Sequence, residues 1–581
     1  MIPMIAKEYR LRPEISTDSA SELATYHPFV QKLLFHRGID TAIKAQHFFG
    51  LDYIGHLHDP YLMKDMGKAV ERIIEALERK EKILIYSDYD ADGIPGGVLL
   101  REFFEKIGYR NVTNYIPHRH DEGYGLHLDA VDGFGKGEVD LMITVDCGIV
   151  DVDQISRANE HGIDVIITDH HEPNGTTPYA YAILNPKQAG CQYPEKILCG
   201  SGVVFKLIQA ILLKNRFGLK EGQEKWFLDL VGIATLSDMV PLTGENRVFA
   251  HYGLKVLRKS PRPGLRKLWR KLRVNQRDVT EDDIGFTLSP RINAASRMGE
   301  PMDAFKLLFT KDEVEADMIS DHLNKINDER KGVVASIVKD IKKHLKEKSV
   351  NGSLPKVIVL GNPLWKPALL GLAANSLMDD YSCPVFLWGR NGDSLLKGSC
   401  RSDGSVSLID LMEEAKGALT QFGGHKMAGG FAVSHEKIHA LEEELNNAYD
   451  SLILKKNESC DMSHDSVNWV DTQITLEDIN FDTYRHIEKL APFGVGNSKP
   501  LFMINSIVPY EVRQFGKTKN HLELIFKDKN GKEVSAICFF SKPEKFKNVP
   551  EKGKPINLIS TMEKSNFRNY PQLRLRVVDI V

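Results

Sequence analysis

Aspartate and histidine residues directly follow three apolar stretches of this sequence. Residues 83–86 run into Asp88, Asp90 and Asp92, residues 141–145 into Asp146, and residues 165–168 into Asp169, His170 and His171. Burying such groups without partners is unfavourable, whereas the carboxyl ends of parallel strands meet at one crevice where ligands bind. The pattern therefore predicts that five aspartates and two histidines converge on one site.

Metal binding is the chemistry that this set of side chains favours. Carboxylate and imidazole ligands without thiolates suit Mn²⁺ or Mg²⁺, with Zn²⁺ as a further option. Five or six anionic ligands exceed the need of one divalent ion, so we expect two ions about 4 Å apart, a pair suited to phosphoryl transfer. Taken singly, an Asp-x-Asp-x-Asp-Gly segment is typical of a calcium loop and a His-His pair of a surface. Their combination at three strand ends favours the metal centre.

The composition is that of a globular protein with several domains. A length of 581 residues predicts about three to four domains. The 7 cysteines are odd in number and include no CxxC pair, so neither a zinc knuckle nor a disulfide framework is indicated and a reducing compartment is expected. Neither a signal peptide nor an apolar run long enough to span a membrane is evident. We therefore expect a cytoplasmic protein without a membrane partner.

The distribution of charge is more informative than the net charge of -3. Residues 501–581 contain 15 Lys and Arg against 8 Asp and Glu, and residues 254–277 contain ten Lys and Arg without an acidic residue. Either basic stretch is a solvated surface or a contact surface for a polyanion.

Hydrophobic periodicity predicts an α/β protein that ends in an all-β module. Residues 81–310 repeat strand, acidic tip and helix, which is typical of a doubly wound parallel sheet. Five short strands (501–507, 521–526, 534–540, 556–560 and 573–578) suit a small barrel of the OB type. The predicted domains are an N-terminal helical segment (1–80), the doubly wound domain (81–310), a long connecting helix (311–350), a smaller α/β domain (351–454) and the barrel (466–581).

The motifs resemble those of the DHH phosphoesterases, through residues 88–93, 145–148, 169–171 and 237–238 in that order. Further stretches narrow the resemblance to the RecJ family of single-strand-specific exonucleases: residues 117–119, 122–126, 290–298, 398–402, 422–430 and 492–502. The resemblance covers the chain from near Ala20 to its end. It identifies residues 81–310 as a DHH domain, residues 351–454 as a DHHA1 domain and the barrel as a nucleic-acid-binding domain.

The resemblance also implies roles for the polar residues at the strand ends. Two divalent ions, Mn²⁺ before Mg²⁺, would be held by Asp88, Asp90, Asp92, Asp146, His170 and Asp238. The catalytic set comprises Asp146 as the bridge between the ions, His171 in contact with the scissile phosphate or the water, and Asp169, which orients a histidine.

Substrate contacts follow from the same resemblance. It implies that Arg119, Ser399, Arg401 and Ser402 bind the 5′ phosphate. Arg291 and Asn293 would contact backbone phosphates near the cut. Gly423, Gly424 and His425 would belong to a segment that faces the metal site. From the residues alone, Arg119 could instead pair with Asp121 or Glu122.

One segment departs from the family pattern. Lys366 and Ala368 stand where the family has histidine and glycine, which excludes imidazole chemistry at residue 366.

The metal-binding pattern predicts a metal-dependent phosphodiesterase. The resemblance implies, more specifically, a 5′-to-3′ exonuclease that degrades single-stranded DNA to 5′ mononucleotides in repair and recombination. The alternatives are a DHH phosphodiesterase for short oligoribonucleotides or cyclic dinucleotides, and a catalytically silent binding module. The expected partner is single-stranded DNA, and the candidate protein partners are a single-strand-binding protein and a helicase. The chain is expected to be a monomer.

Overall fold

The computed structural model describes residues 8–135, 139–348, 355–390, 395–458, 468–516, 519–565 and 571–581. The chain divides into two compact units. The terminal unit comprises Met1–Asp52 and Met462–Val581, and the central unit comprises Tyr53–Asp461. None of the helices in the described ranges is long and apolar enough to cross a membrane.

The terminal unit begins with one short strand and three helices: β1 (Tyr9–Leu11), α1 (Thr17–Glu22), α2 (Pro28–Phe35) and α3 (Ala42–Phe49). The sequence predicts helices here but misses β1, whose three residues carry little apolar signal. Ser16 and Thr41 start α1 and α3 by accepting backbone N–H groups with their hydroxyls.

The first half of the central unit is built on a parallel sheet. Its elements are α4 (Met66–Arg79), β2 (Ile83–Ser87), α5 (Gly93–Lys106), β3 (Val112–Tyr115), α6 (Leu128–Phe134), β4 (Leu141–Val145), α7 (Val152–Glu160), β5 (Asp164–Thr168), β6 (Ala182–Leu184), α8 (Gly200–Lys214), α9 (Leu228–Ser237), α10 (Gly244–Leu257), α11 (Pro263–Lys271), α12 (Glu281–Asp283), α13 (Ser289–Met298) and α14 (Pro301–Phe309). Strands β2, β4 and β5 are almost wholly buried because apolar cores cover both faces of the sheet.

The strand order of this sheet is β3-β2-β4-β5-β6, with every pairing parallel. The direction of winding reverses between β2 and β4, and ligands of open α/β sheets bind at the carboxyl ends of such strands. The doubly wound parallel sheet expected from the sequence is thus confirmed.

A long helix leads into a second, smaller sheet. The elements are α15 (Glu313–Lys348), β7 (Ile358–Gly361), α16 (Pro367–Tyr381), β8 (Val385–Gly389), β9 (Leu396–Arg401), α17 (Leu408–Glu414), β10 (Gln421–Gly424), β11 (Ala428–Val433) and α18 (Leu441–Glu458). The strand order is β10-β11-β9-β8-β7, and only β7 and β8 pair in parallel. This α/β half and the helix before it agree with the expected fold class.

The C-terminal part of the terminal unit is mostly β-structure. It contains β12 (Asn468–Val470), β13 (Thr472–Gln473), α19 (Phe481–Glu488), β14 (Phe502–Ile507), β15 (Glu511–Phe515), β16 (His521–Lys527), β17 (Glu533–Cys538), β18 (Ile556–Ser565) and β19 (Gln572–Ile580). Seven strands form one sheet in the order β13-β14-β18-β19-β17-β16-β15. The expected five strands are present, and the sequence missed β13 and β15, which are short edge strands.

The two ends of the chain share one hydrophobic core. Leu33 and Leu34 of α2 are buried with Phe502, Leu558 and other residues of the seven-stranded sheet. Strand β1 pairs in parallel with β12. Residues up to Asp52 therefore fold with the C-terminal sheet, a long-range association that local sequence patterns do not reveal. The five predicted domain ranges stay predictions.

Asp471 joins the two ends of the chain within the terminal unit. Its carboxylate accepts a hydrogen bond from the Leu501 N–H (2.8 Å) and lies 3.8 Å from Arg12 Nε and 4.0 Å from Arg37 Nη1. Burial favours the neutral acid, but the Leu501 N–H, the nearby His36 ring (Nδ1–Oδ1 3.6 Å) and the two guanidinium charges outweigh it. The pKa of Asp471 therefore lies below its usual value.

We expect Asp471→Asn to weaken the attachment of β1 by about 1–3 kcal/mol, because the charge that strengthens the hydrogen bond from the Leu501 N–H and attracts the two guanidinium groups is lost. Since the folded-state pKa is lower than the unfolded one, this stabilisation is present above about pH 4 and is lost as the pH falls through the folded pKa. Hydrogen exchange of the Arg12 and Asn468 amides, which bond across the two ends, measures both effects. Exchange as slow as in the wild type would contradict the prediction, and Asp482→Asn at an exposed ion pair is the control.

Candidate active site

The parallel sheet brings the predicted metal ligands together at one edge. Asp88 follows β2, Asp146 follows β4, His170 follows β5 and Asp238 follows α9. His170 Nε2 lies 3.1 Å from Asp146 Oδ1 and 3.8 Å from Asp92 Oδ2, and His170 Nδ1 lies 3.8 Å from Asp238 Oδ2. These distances agree with the convergence predicted from the three strand ends.

The possible ligand atoms form three overlapping groups, each with all atoms within 4.8 Å of one another. The groups are Asp88 with Asp90 and Asp146, Asp92 with His170 and Asp238, and Asp146 with His170 and His171. Asp146 belongs to the first and the third group. It also contacts His170, which belongs to the second group. It therefore occupies the position that a ligand shared by two ions would need.

The carboxylates of this cluster are buried beside one another. Burial and neighbouring carboxylates raise the pKa of Asp88 and of Asp146 well above the ordinary value, that of Asp92 to about 6 and that of Asp238 to about 8. Asp88 Oδ1 and Asp146 Oδ1 are buried without a hydrogen-bond partner. Buried acceptors without donors, in a set of oxygen and nitrogen ligands, fit divalent cations.

The two histidines have different environments. Burial and the neighbouring His171 lower the pKa of His170 to about 4, which keeps its imidazole neutral, the form that binds metals. Burial disfavours charge on His171, but its hydrogen bond to Asp169 (Nδ1–Oδ1 2.8 Å) and that carboxylate's charge raise its pKa to about 9. Asp169 also accepts the backbone N–H groups of His170, His171 and Ile149. Asp169 is thus placed to orient His171 and not to bind a metal.

The first turn of α8 fixes Asp92. The Asp92 carboxylate accepts the N–H groups of Gly200 (2.6 Å) and Ser201 (2.8 Å), and the Ser201 hydroxyl donates to the Asp92 carbonyl. A Cβ at Gly200 would lie 2.7 Å from the Asp146 side chain, so only glycine permits this approach. The sequence reasoning missed both residues, although a glycine-rich helix start is a signal for binding anionic groups.

Tyr124 is a further residue that the sequence reasoning did not assign. Its hydroxyl donates to the Asp146 carbonyl (3.2 Å) and lies 3.0 Å from His171 Nδ1. It lies in the segment 122–126, which carried the family resemblance without a role for the tyrosine.

Arg291 and Asn293 both have hydrogen-bond partners within the protein. Asn293 Oδ1 accepts the Ala91 N–H (2.9 Å) and so holds the loop that carries the first three aspartates. Arg291 is buried and donates to Asn324 Oδ1 (2.6 Å) and to the Thr287 carbonyl (2.5 Å). Asn293 thus supports the aspartate loop, and contact of either side chain with backbone phosphates stays a prediction.

Arg119 lies beside the cluster without a carboxylate partner among the described residues. Its guanidinium lies 4.7 Å from the centre of the Tyr89 ring. Its positive charge opposes, without cancelling, the rise in the pKa of Asp88. Asp121 and Glu122, the alternative partners, instead contact His118, through its imidazole and its N–H respectively. Arg119 is therefore available to an anion.

Two arginines that the sequence reasoning did not assign extend this positive charge. Burial and the charges of Arg119 and Arg330 lower the pKa of Arg297 to about 9. Arg297 Nη1 donates to the Ala368 carbonyl (2.5 Å) in the first turn of α16. It thereby links the two halves of the central unit, and Ala368 contributes through its backbone.

The residues predicted to bind substrate in the second half lie on neighbouring strands. Ser399 and Arg401 on β9 pair with Gly430 and Ala428 of β11, which pairs with β10. Arg401 is half-buried against Gly371 of α16. Among the described residues, Ser399 and Arg401 form no hydrogen bond or ion pair with the aspartate–histidine cluster.

Ser402 and the glycine-rich segment differ in exposure. Ser402 is buried, and its hydroxyl donates to the Val406 carbonyl (2.7 Å) and accepts the Gly404 N–H (3.0 Å). This arrangement shapes a loop, and a phosphate contact by Ser402 stays a prediction. Gly423, Gly424 and His425 are exposed at the end of the β10–β11 hairpin, where a ligand can reach their backbone.

Comparisons with known proteins agree with the site geometry. Residues 82–235 match the DHH family N-terminal domain, residues 354–451 the DHHA1 domain and residues 470–579 the RecJ OB domain. The chain is 33% identical over 562 residues to the single-stranded-DNA-specific exonuclease RecJ of Bacillus subtilis, covering 97% of this chain and 69% of that protein. It is 30% identical over 532 residues to the Haemophilus influenzae protein of the same name, covering 89% and 91%.

A solved structure shares the fold of the described chain. The crystal structure of RecJ in complex with Mn²⁺ from Thermus thermophilus superposes with a TM-score of 0.79 at 25% sequence identity. The match covers 99% of this chain and 79% of the Thermus chain.

Proposed function

Because the chain belongs to the RecJ family of DHH exonucleases, we propose that it is a metal-dependent 5′-to-3′ exonuclease of single-stranded DNA. It releases 5′ mononucleotides and acts in DNA repair and recombination. The observation that carries the proposal is the cluster of aspartates and histidines at the topological switch of the parallel sheet.

Two divalent cations, Mn²⁺ or Mg²⁺, are the cofactors that this cluster suits. The proposed ligands are the six residues Asp88, Asp90, Asp92, Asp146, His170 and Asp238. The partnerless oxygens of Asp88 and Asp146 support the assignment, since buried carboxylates in this number need compensating positive charge. When bound, the pair of ions supplies an activated water and stabilises the attacking and leaving oxygens.

The residues around the ligands position the reacting groups. Asp169 holds His171 through Nδ1, which fixes the ring beside Asp146 for contact with the scissile phosphate. Asn293 and the start of α8 hold the aspartate loop, so that the ligands are preorganised before a strand enters.

Arg119 with Ser399 and Arg401 forms the proposed clamp for the 5′ phosphate, and Ser402, Gly423, Gly424 and His425 complete this side of the substrate site. We expect a 5′-phosphorylated strand to be degraded about 10- to 100-fold faster than its 5′-hydroxyl form, because charge-assisted hydrogen bonds of about 1.5–3 kcal/mol are gained. Arg119→Gln and Arg401→Gln should each reduce this ratio, whereas Arg110→Gln at an exposed position should not. Equal rates on both strands with the wild type would contradict the clamp.

The seven-stranded sheet of the terminal unit is a proposed contact surface for another part of the strand, through its positive charge. The chain is proposed to act as a monomer in the cytoplasm, with a single-strand-binding protein and a helicase as candidate partners.

Digestion of single-stranded DNA labelled at either end, beside its duplex and RNA versions, tests the function. Stepwise release of 5′ mononucleotides from single-stranded DNA with Mn²⁺, and none after chelation, is expected. Preference for very short RNA would instead favour an oligoribonuclease, and no hydrolysis with any metal would favour a binding module.

A further inference from the structure

Half of the residues that line a groove between α15 and α16 are basic. The groove has a volume of about 810 Å³, and its half-buried floor is formed by Val334, Val338 and Leu372. Six basic residues and one carboxylate, Asp340, also line it; the basic residues are Arg330, Lys331, Lys339, Lys342, Lys343 and Lys346. Such an excess of one charge is complementary to a polyanion.

Several of these charges are not neutralised by the protein. Lys331, Lys342 and Lys343 have carboxylate partners within 4.0 Å. Among the described residues, no carboxylate forms an ion pair with Arg330, Lys339 or Lys346. Arg330 Nε is buried without a hydrogen-bond partner, and its burial lowers the pKa of the guanidinium. Partnerless donors at the start of the groove indicate that an acceptor from outside the chain completes it.

The other basic stretch of the central unit, residues 254–277, differs in this respect. Lys and Arg side chains of α11 pair with acidic residues in the first half of α15: Arg266 and Lys267 with Glu313, Arg270 and Lys271 with Asp317, and Lys271 with Asp321. Four of the ten Lys and Arg residues of this stretch therefore pair with α15, and Arg262 pairs with Asp229 and Glu102. The second half of α15 retains its charge for a ligand.

The groove starts next to the candidate active site. Arg330 is the first residue along α15 that lines the groove, and it is close enough to Arg297 for the two charges to interact. Arg297 donates a hydrogen bond to the first turn of α16. Arg297 in turn interacts with Arg119 and Asp90. Positive charge thus continues from the aspartate cluster through three arginines to the lysines of α15.

We propose that the α15–α16 groove binds the phosphodiester backbone of the single-stranded DNA substrate beyond the nucleotides held at the active site. This inference rests on the proposed function and adds a substrate track to it. The lysines at the rim contact phosphates, and the apolar floor accommodates sugar and base surfaces. Catalysis itself does not require the groove, which raises affinity for long strands.

The test compares the triple variant K339Q/K343Q/K346Q with the matched control K220Q/K325Q/K416Q, which removes the same charge at exposed positions elsewhere in the central unit. A third variant, K339R/K343R/K346R, keeps the charge. The measurements are Kd for a long phosphorothioate oligodeoxynucleotide at several salt concentrations, and kcat and KM with Mn²⁺ for a long strand and for a dinucleotide.

The groove variant is expected to raise the Kd for the long strand about tenfold. It should also reduce the slope of log Kd against log salt by about 2, because three lysines no longer neutralise phosphates and each neutralised phosphate contributes about 0.7 to the slope. Its kcat and its hydrolysis of the dinucleotide should match the wild type, and the arginine variant should retain affinity.

Equal Kd values and salt slopes for the groove and control variants would overturn the proposal, as would an equal loss on the dinucleotide. Weaker binding by the groove variant, together with no hydrolysis by the wild type, would support the groove and contradict the exonuclease. A wild type that neither binds nor cuts single strands would contradict both.

Discussion

Replacing Asp146 with asparagine is expected to lower Mn²⁺-dependent hydrolysis of single-stranded DNA by about 10³-fold or more. Two bound ions would supply several kcal/mol of transition-state stabilisation, and Asp146 is the proposed shared ligand, whose loss would affect both. Asparagine tolerates the left-handed backbone of residue 146, where φ is 64°, so the change removes charge without forcing the loop to move. The measurement is kcat at saturating Mn²⁺.

The same variant separates metal binding from folding. In the wild type we expect Mn²⁺ to raise Tm and chelation to reverse the gain, because the ions neutralise crowded buried carboxylates. The variant should show a smaller gain, while without metal it should be at least as stable as the wild type, since one buried charge is gone. Asp153→Asn, at an exposed position on α7, is the control. Hydrolysis at the wild-type rate by Asp146→Asn would remove the bridge from the mechanism.

Asp169→Asn is expected to lower kcat by about 10- to 100-fold while leaving the Mn²⁺-induced rise in Tm intact. Asp169 acts as a positioning residue, since it holds His171 Nδ1 and three backbone N–H groups, and loss of such supporting contacts has effects of this size. The asparagine side chain can accept hydrogen bonds only through its oxygen, because its amide nitrogen is a donor. Either the His171 ring or some of the backbone N–H groups of His170, His171 and Ile149 therefore lose their acceptor.

Comparison with Tyr124→Phe isolates the role of the carboxylate. That change removes a second polar neighbour of His171 Nδ1, at 3.0 Å, without altering charge, and we expect a smaller loss of kcat. If Asp169→Asn abolished the metal-induced rise in Tm as fully as Asp146→Asn, Asp169 would be a ligand or a determinant of folding and not a positioning residue.

The sequence by itself determined the parallel sheet and the aspartates and histidines that belong to its edge. Buried parallel strands are continuous apolar runs, and the residue that ends each run must lie at the sheet edge, so Asp88, Asp146 and His170 could be placed from local patterns. Family resemblance added Asp238, which follows a helix and carries no strand signal.

Only the tertiary structure decided which charged and polar side chains remain available to a ligand. Arg291 and Arg119 look equally suited to phosphate in the sequence, yet Arg291 is engaged by Asn324 whereas Arg119 has no acidic partner among the described residues. Likewise, Arg266, Lys267, Arg270 and Lys271 of the basic stretch 254–277 pair with acidic residues of α15. Lys339 and Lys346, in contrast, remain unpaired within the described ranges. Pairing depends on contacts between residues far apart in the chain, and local periodicity carries no record of those contacts.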